Sequence, residues 1–289
     1  MTPFDSFLAR AEALLARVER LLPPEVLVPD FAATIAFRWR TRGESGYLQP
    51  VVQPHGIRLE DLQDIDRQRD LVNANTRQFV RGVPANNVLL TGARGTGKSS
   101  LVKAVLNRYA AEGLRLVELD KQDLLHMSDV VERLAREPYR FILFCDDLSF
   151  DANEPGYKAL KAVLDGSISA TPENVLIYAT SNRRHLMPEY MQENLETRYV
   201  GDEVHPGETV EEKVSLSERF GLWVSFYPFS QDEYLDIVRH WLQELGVTDV
   251  NSEAVRREAL QWALQRGSRS GRIAWHFARD WAGRKASEG

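Results

Sequence analysis

Gly92-Ala93-Arg94-Gly95-Thr96-Gly97-Lys98-Ser99 fits the spacing G-x-x-x-x-G-K-[ST] and stands between two different signals. Before it, residues 88–90 are a short apolar run that reads as a strand; from Lys98 onward the apolar residues recur at helical spacing. A strand that turns through glycines into a helix aims several backbone N–H groups at one point, and the helix N-terminus adds the positive end of its dipole. Residues 92–99, with Ser100 behind them, are therefore expected to cradle phosphates. Lys98 would reach the outer phosphates and the Ser99 hydroxyl would serve Mg²⁺.

Further along, Phe141-Ile142-Leu143-Phe144-Cys145-Asp146-Asp147 reads as a buried strand that delivers two carboxylates at its C-terminal end. Ligands of open α/β sheets bind at that end. Asp146 is expected to hold Mg²⁺, directly or through water, and Asp147 to polarise the attacking water. The two stretches together are a Walker A and Walker B pair.

Between them and after them, strand-like runs alternate with helical stretches, which predicts an α/β fold with a parallel sheet sandwiched by helices. The expected strands are residues 88–90, 114–119, 141–145, 175–180 and 223–226. Beyond Phe226 the pattern becomes helical: Ser230-Gln231-Asp232-Glu233 is a capping box opening a helix to about Leu245, followed by helices near 252–265 and 271–282. At the other end, Phe4, Phe7, Leu8, Ala11, Leu14, Leu15, Val18, Leu21 and Leu22 form one apolar stripe that Pro23-Pro24 terminates. Docking on its own domain and association with a partner or a second copy both suit that helix. Residues 31–54 lose the period and read as a loosely ordered connector with one short strand or helix. Within it, Phe37-Arg38-Trp39-Arg40-Thr41-Arg42 interleaves cations with aromatics. Such a segment suits phosphates and stacked bases of single-stranded nucleic acid, or simply a solvated face. The expected domains are residues 1–57, an N-terminal helix and connector; 58–228, the α/β core; and 229–289, a helical lid.

Composition narrows the class. The chain has 289 residues, 43% hydrophobic and 27% charged, the balance of an ordinary folded protein. No apolar run approaches the roughly 18 residues of a membrane span. The single cysteine excludes an intrachain disulfide, and a reducing cytoplasm is the expected compartment. A net charge of −6 argues against a chain that coats nucleic acid through its overall field.

The remaining polar residues fall in a definite order. The strand 175–180 runs into Ser181-Asn182, and if it lies between the two motif strands, Asn182 points at the terminal phosphate and the water. Ser215-Leu216-Ser217-Glu218-Arg219-Phe220-Gly221 immediately precedes the strand 223–226. Gly267-Ser268-Arg269-Ser270-Gly271-Arg272 opens the last helix, and Leu59, Leu62, Ile65, Asp66 and Gln68 precede the glycine loop. This ordered set resembles the AAA+ P-loop ATPases over roughly residues 59–282. Pro84-Ala85-Asn86-Asn87-Val88-Leu89-Leu90, Cys145-Asp146-Asp147-Leu148-Ser149-Phe150, the stretch from Thr180 to Glu189 and Arg219-Phe220-Gly221-Leu222-Trp223 are similar, more narrowly, to a bacterial AAA+ family catalogued as domain of unknown function 815. The resemblance implies ATP and Mg²⁺ as ligands. It makes Asn182 the sensor 1 residue and Arg219 an arginine finger that completes a neighbouring subunit's site. Arg272 becomes the sensor 2 arginine, with Arg269 its competitor, and residues 59–68 close over adenine. It also implies assembly, as a homo-oligomer or beside another AAA+ subunit. Asp147 stands where many relatives carry glutamate, one methylene longer.

Three functional classes follow. An ATP-hydrolysing switch or remodeller of a macromolecular partner uses every motif. A nucleotide-gated binding module with little turnover suits the shorter Asp147, and a small-molecule kinase shares only the loop. Residues 202–212, with His205, read as a partner-contacting insertion or a surface loop. Arg183, Arg184 and His185 read as phosphate or nucleic-acid contacts or a solvated turn.

Overall fold

The computed structural model describes residues 28–42, 45–150, 154–166, 172–182, 198–200, 203–205 and 217–288, with separate positions between 4 and 14. The chain forms two units, Met1–Asp30 and Phe31–Gly289. In the first, the described positions from 4 to 14 are helical, as the apolar spacing predicts. The second carries a seven-stranded sheet, built from β1 (Ala36–Arg42), β2 (Ser45–Pro50), β3 (Val88–Gly92), β4 (Leu114–Glu118), β5 (Arg140–Cys145), β6 (Val175–Ser181) and β9 (Leu222–Phe226). The order is β2-β1-β4-β5-β6-β3-β9, with every pair parallel except β1 with β2. A separate antiparallel pair joins β7 (Arg198–Val200) to β8 (Glu203–His205), so His205 closes a short strand. Residues 206–212, Arg183, Arg184 and His185 lie outside the described residues.

The central strands are buried along nearly their whole length because helices cover both faces. Alternate residues of one strand enter different cores: Ile142 and Phe144 of β5 face one, Phe141, Leu143 and Cys145 the other. The first core is closed by α1 (Asp66–Val80), α2 (Lys98–Tyr109) and the C-terminal helices α5 (Gln231–Glu244), α6 (Glu253–Gln265) and α7 (Gly271–Glu288). The second is closed by α3 (Met127–Ala135) and α4 (Pro155–Asp165). The Ser230 capping box forms as expected: Ser230 Oγ accepts from the Glu233 N–H at 3.2 Å, and Glu233 Oε2 accepts from the Ser230 N–H at 2.6 Å. Among the described residues no helix is long and apolar enough to cross a membrane.

One expectation needs correction. Residues 31–54 are not a connector with a single short strand; they hold the hairpin β1–β2, and β1 extends the sheet by pairing in parallel with β4. The alternation that suggested nucleic acid is the two-residue period of a half-buried strand. Phe37 and Trp39 are 0% and 4% exposed, so neither ring offers a face for stacking. Arg38 Nε donates to Glu118 at 2.6 Å and Arg40 Nη1 to Asp120 at 2.6 Å, which turns the basic side of β1 toward acids at the end of β4 and just beyond it.

The register places the chemistry. Thr91 stands opposite Ser181, Cys145 opposite Ala179 and Gly92 opposite Phe226, so β3, β5 and β6 end at one edge of the sheet. β6 lies between the two motif strands, as the Asn182 expectation requires.

Candidate nucleotide-binding site

The glycine loop leaves β3 in conformations that favour glycine. Gly92, Gly95 and Gly97 have φ of 126°, 74° and 98°, and a Cβ on Gly92 would stand 1.9 Å from the Phe226 carbonyl oxygen of the neighbouring strand. Gly97 is the N-cap of α2, and Thr96 Oγ1 donates to the Ala93 carbonyl at 2.8 Å, which tightens the turn. Lys98 folds back into this ring. Its Nζ donates to the Gly92 and Ala93 carbonyls at 2.8 and 2.7 Å and to Asn182 Oδ1 at 3.1 Å, and the residue is 5% exposed. Burial pulls the ammonium down to about 8, against the opposing pull of Asp147 and Asp146.

Asp146 and Asp147 leave the end of β5 in different directions. Asp146 Oδ1 accepts from Ser99 Oγ at 2.6 Å and from Thr180 Oγ1 at 2.6 Å. Asp147 adopts the left-handed conformation, φ 52°, which a short polar side chain tolerates. Its N–H donates to Thr180 Oγ1 at 2.8 Å, and its Oδ1 accepts from Asn182 Nδ2. Thr180 thus fixes both acids, a role that sequence reading missed; the signal was a hydroxyl residue at the end of the strand beside β5. A serine hydroxyl and a carboxylate oxygen in contact beside the glycine loop are the hard oxygen donors that Mg²⁺ takes, so these residues fit the ion.

Lys98, Ser99, Ser100, Arg94, Gly95, Thr96, Gly97, Asp146, Asp147, Asn182 and Arg272 line one cleft of about 750 Å³. Gly92 and Ala93 lie behind it and contribute the carbonyls that hold Lys98. Arg94 approaches Asp147 at 4.0 Å from an exposed position. Arg272 reaches the cleft because α7 begins on the loop, where the Gly271 N–H donates to the Gly95 carbonyl at 2.8 Å; Arg269 is exposed and does not line it. Of the five residues expected to close over adenine, Leu62 and Ile65 line the cleft. Leu59 is core, Asp66 opens α1, and Gln68 Nε2 donates to the Ser225 carbonyl at 3.1 Å. The aromatic wall was not anticipated: Trp241 and Trp275, ring centroids 4.7 Å apart, face the cleft together with Phe229. Packing between α5 and α7 brings them there, and no local pattern announces it.

Arg219 stands apart. It precedes Leu222, which pairs with Val88 at the start of β3, whereas the loop leaves from the far end at Gly92. About 13 Å of strand separates those ends. Arg219 Nε donates to Asp165 and the residue does not line the cleft of its own chain. Among the described residues one further group of histidine and carboxylates comes together, Asp61, His240 and Glu244. There the Arg58 guanidinium already bridges Asp61 and Glu244, 2.7 Å from each, and holds the Asp61 carboxyl low: burial raises it, but the hydrogen bonds and charge of Arg58 outweigh that.

Many solved structures match this one. They include the Thermotoga maritima RuvB Holliday junction branch migration motor, at 17% identity and a TM-score of 0.46. Caenorhabditis elegans PCH-2 follows at 19% and 0.47, and a DNA replication initiation factor at 16% and 0.45. The matches cover 77%, 74% and 76% of this chain, and the chain spans 63%, 62% and 62% of theirs. No curated protein matches it in sequence. A family model matches residues 32–285. With nearly the whole of its second unit inside that match, the chain belongs to the family described as "Protein of unknown function (DUF815)".

Proposed function

We propose that the chain binds ATP with Mg²⁺ in this cleft and hydrolyses it, and that the nucleotide state switches the α5–α7 helices against the sheet to act on a macromolecular partner. The observation that carries the reading is the meeting of Lys98, Ser99, Asp146, Asp147 and Asn182 at one edge of the sheet, joined by direct hydrogen bonds.

Each residue has a distinct task in this reading. The loop N–H groups and Lys98 bind and orient the phosphates; Lys98 exchanges its carbonyl partners for phosphate oxygens. Ser99 and Asp146 hold Mg²⁺, which supplies charge neutralisation at the phosphate oxygens when bound. Asp147 accepts a hydrogen bond from the attacking water and draws on its proton, with Asn182 fixing the carboxylate. Arg272 reaches the phosphates from α7. Ile65, Leu62, Trp241 and Trp275 exclude water around the base. Residues 58–228 act as the core and 229–289 as the lid, while residues 1–57 add the hairpin and the N-terminal helix. Arg219 serves a neighbouring copy, so the working form is an assembly.

The second reading, a nucleotide-gated module with little turnover, draws on Asp147: the short carboxylate is already engaged by Asn182 and has less reach toward a water. Turnover separates the two. Purified protein is assayed for phosphate release and for binding of a fluorescent ATP analogue, with Lys98→Ala as the blank. Lys98→Ala should lose tight binding. Asp147→Asn keeps the shape and the left-handed backbone; it should bind as before and hydrolyse about 10²-fold more slowly or worse. Parental hydrolysis by Asp147→Asn would remove Asp147 from the chemistry. Tight binding without turnover by the unaltered protein would favour the gated module.

A further inference from the structure

Asp165 is the last residue of α4, where the helix dipole presents its negative end, and no basic residue stands in that last turn to compensate. A carboxylate is disfavoured there. What it meets is Arg219, whose Nε donates to Asp165 Oδ1 and whose side chain is only 24% exposed. The backbone around Arg219 is held as firmly as the side chain. Phe220 is buried in the second core and its N–H donates to the Ser217 carbonyl at 3.2 Å. Gly221 lies so close to Asn86 that a Cβ would stand 2.3 Å from its Oδ1. A guanidinium held by Asp165 and absent from the lining of its own cleft is placed to act beyond that cleft.

We propose that Asp165 is the positioning residue for Arg219. Its carboxylate sets the direction in which the guanidinium is presented to the nucleotide of a neighbouring copy. The inference rests on the reading of the chain as an ATPase whose Arg219 works in trans. Asp165 does not line the cleft, so it has no part in binding nucleotide to its own chain.

The test compares Asp165→Asn, Asp165→Glu, Arg219→Ala and the double variant Asp165→Asn/Arg219→Ala. For each, steady-state hydrolysis is measured at assembling protein concentration, and affinity is measured for a fluorescent ATP analogue. Asp165→Asn should bind the analogue as the parent does and keep its KM. Its kcat should fall about tenfold, the scale expected for losing one charge-assisted hydrogen bond that aims Arg219. Asp165→Glu should recover part of the rate, and the double variant should be no slower than Arg219→Ala. Three results would overturn the proposal: parental kcat in Asp165→Asn while Arg219→Ala is impaired, multiplied effects in the double variant, or lost analogue affinity in Asp165→Asn. Parental hydrolysis by Arg219→Ala would instead remove the trans reading beneath it, leaving the cleft chemistry to the Asp147→Asn comparison.

Discussion

At the scale of single residues, Lys98 makes the most direct claim. Its ammonium is pulled from 10.5 to about 8 by burial, and a phosphate oxyanion beside it would push it back up. In the empty protein the native state therefore holds fewer protons than the unfolded chain between about pH 8 and 10.5, so this group makes stability rise with pH across that window. Nucleotide binding has the opposite sign. Affinity should be level below about pH 8, where Lys98 is already charged, and fall above it as binding must first recruit a proton. Calorimetric titration in two buffers of different ionisation enthalpy would show proton uptake near pH 9 and little near pH 7, about one unit either side of the shifted value. A heat independent of buffer near pH 9 would mean that Lys98 stays charged throughout. The meeting of Lys98, Ser99, Asp146 and Asp147 was legible in sequence because their places follow from spacing to a glycine loop and to the end of an apolar run. Thr180 was not, since its importance comes from a register between strands that lie far apart in the chain.

At the scale of elements, the loop and α7 are one joint. Gly95 has φ 74°, and a Cβ there would stand 2.8 Å from Ser270 Cβ, directly before the residue whose N–H bonds the Gly95 carbonyl. Gly95→Ala must therefore move the start of α7, and Arg272 with it. Gly113 offers the control. Its φ is 94°, yet nothing lies within 4 Å of an added Cβ. Both substitutions place alanine in the left-handed region and should cost about 1–2 kcal/mol of stability, read as lower melting temperatures. Only Gly95→Ala should also weaken binding of the ATP analogue, by about tenfold, or 1.4 kcal/mol. Equal affinity in the two variants would show that α7 does not need its seat on the loop. The α5–α7 helices were readable from the Ser230 cap and the apolar spacing, and the central strands from their unbroken apolar runs. The hairpin β1–β2 was not, because glycines and prolines obscured it and its arginines drew attention to an outside partner. The acids that pair with Arg38 and Arg40 stand at the end of β4 and just beyond it, about eighty positions away, where no local pattern reaches.

At the scale of the whole molecule, the cleft and Arg219 belong to opposite ends of the sheet, and under the proposed function activity would be a property of an assembly. In that reading one chain would hold a nucleotide with its own loop and acids, while its Arg219 leaves from the end where β9 begins. If that arginine completes a neighbour's site, specific activity should rise with protein concentration, and Arg219→Ala should be slow at every concentration. In the general case such an arginine contributes about 10³ to 10⁵ in rate. Mixing gives the decisive comparison. Arg219→Ala subunits retain an intact cleft, and Asp147→Asn subunits retain Arg219 but lack the acid. Each should be slow alone, yet at a mixed boundary an intact cleft would face an intact arginine. Phosphate release from the mixture should exceed the sum of the separate variants and peak near equal proportions. A mixture no faster than that sum would place Arg219 outside the chemistry and leave its pairing with Asp165 as a tie between α4 and the start of β9.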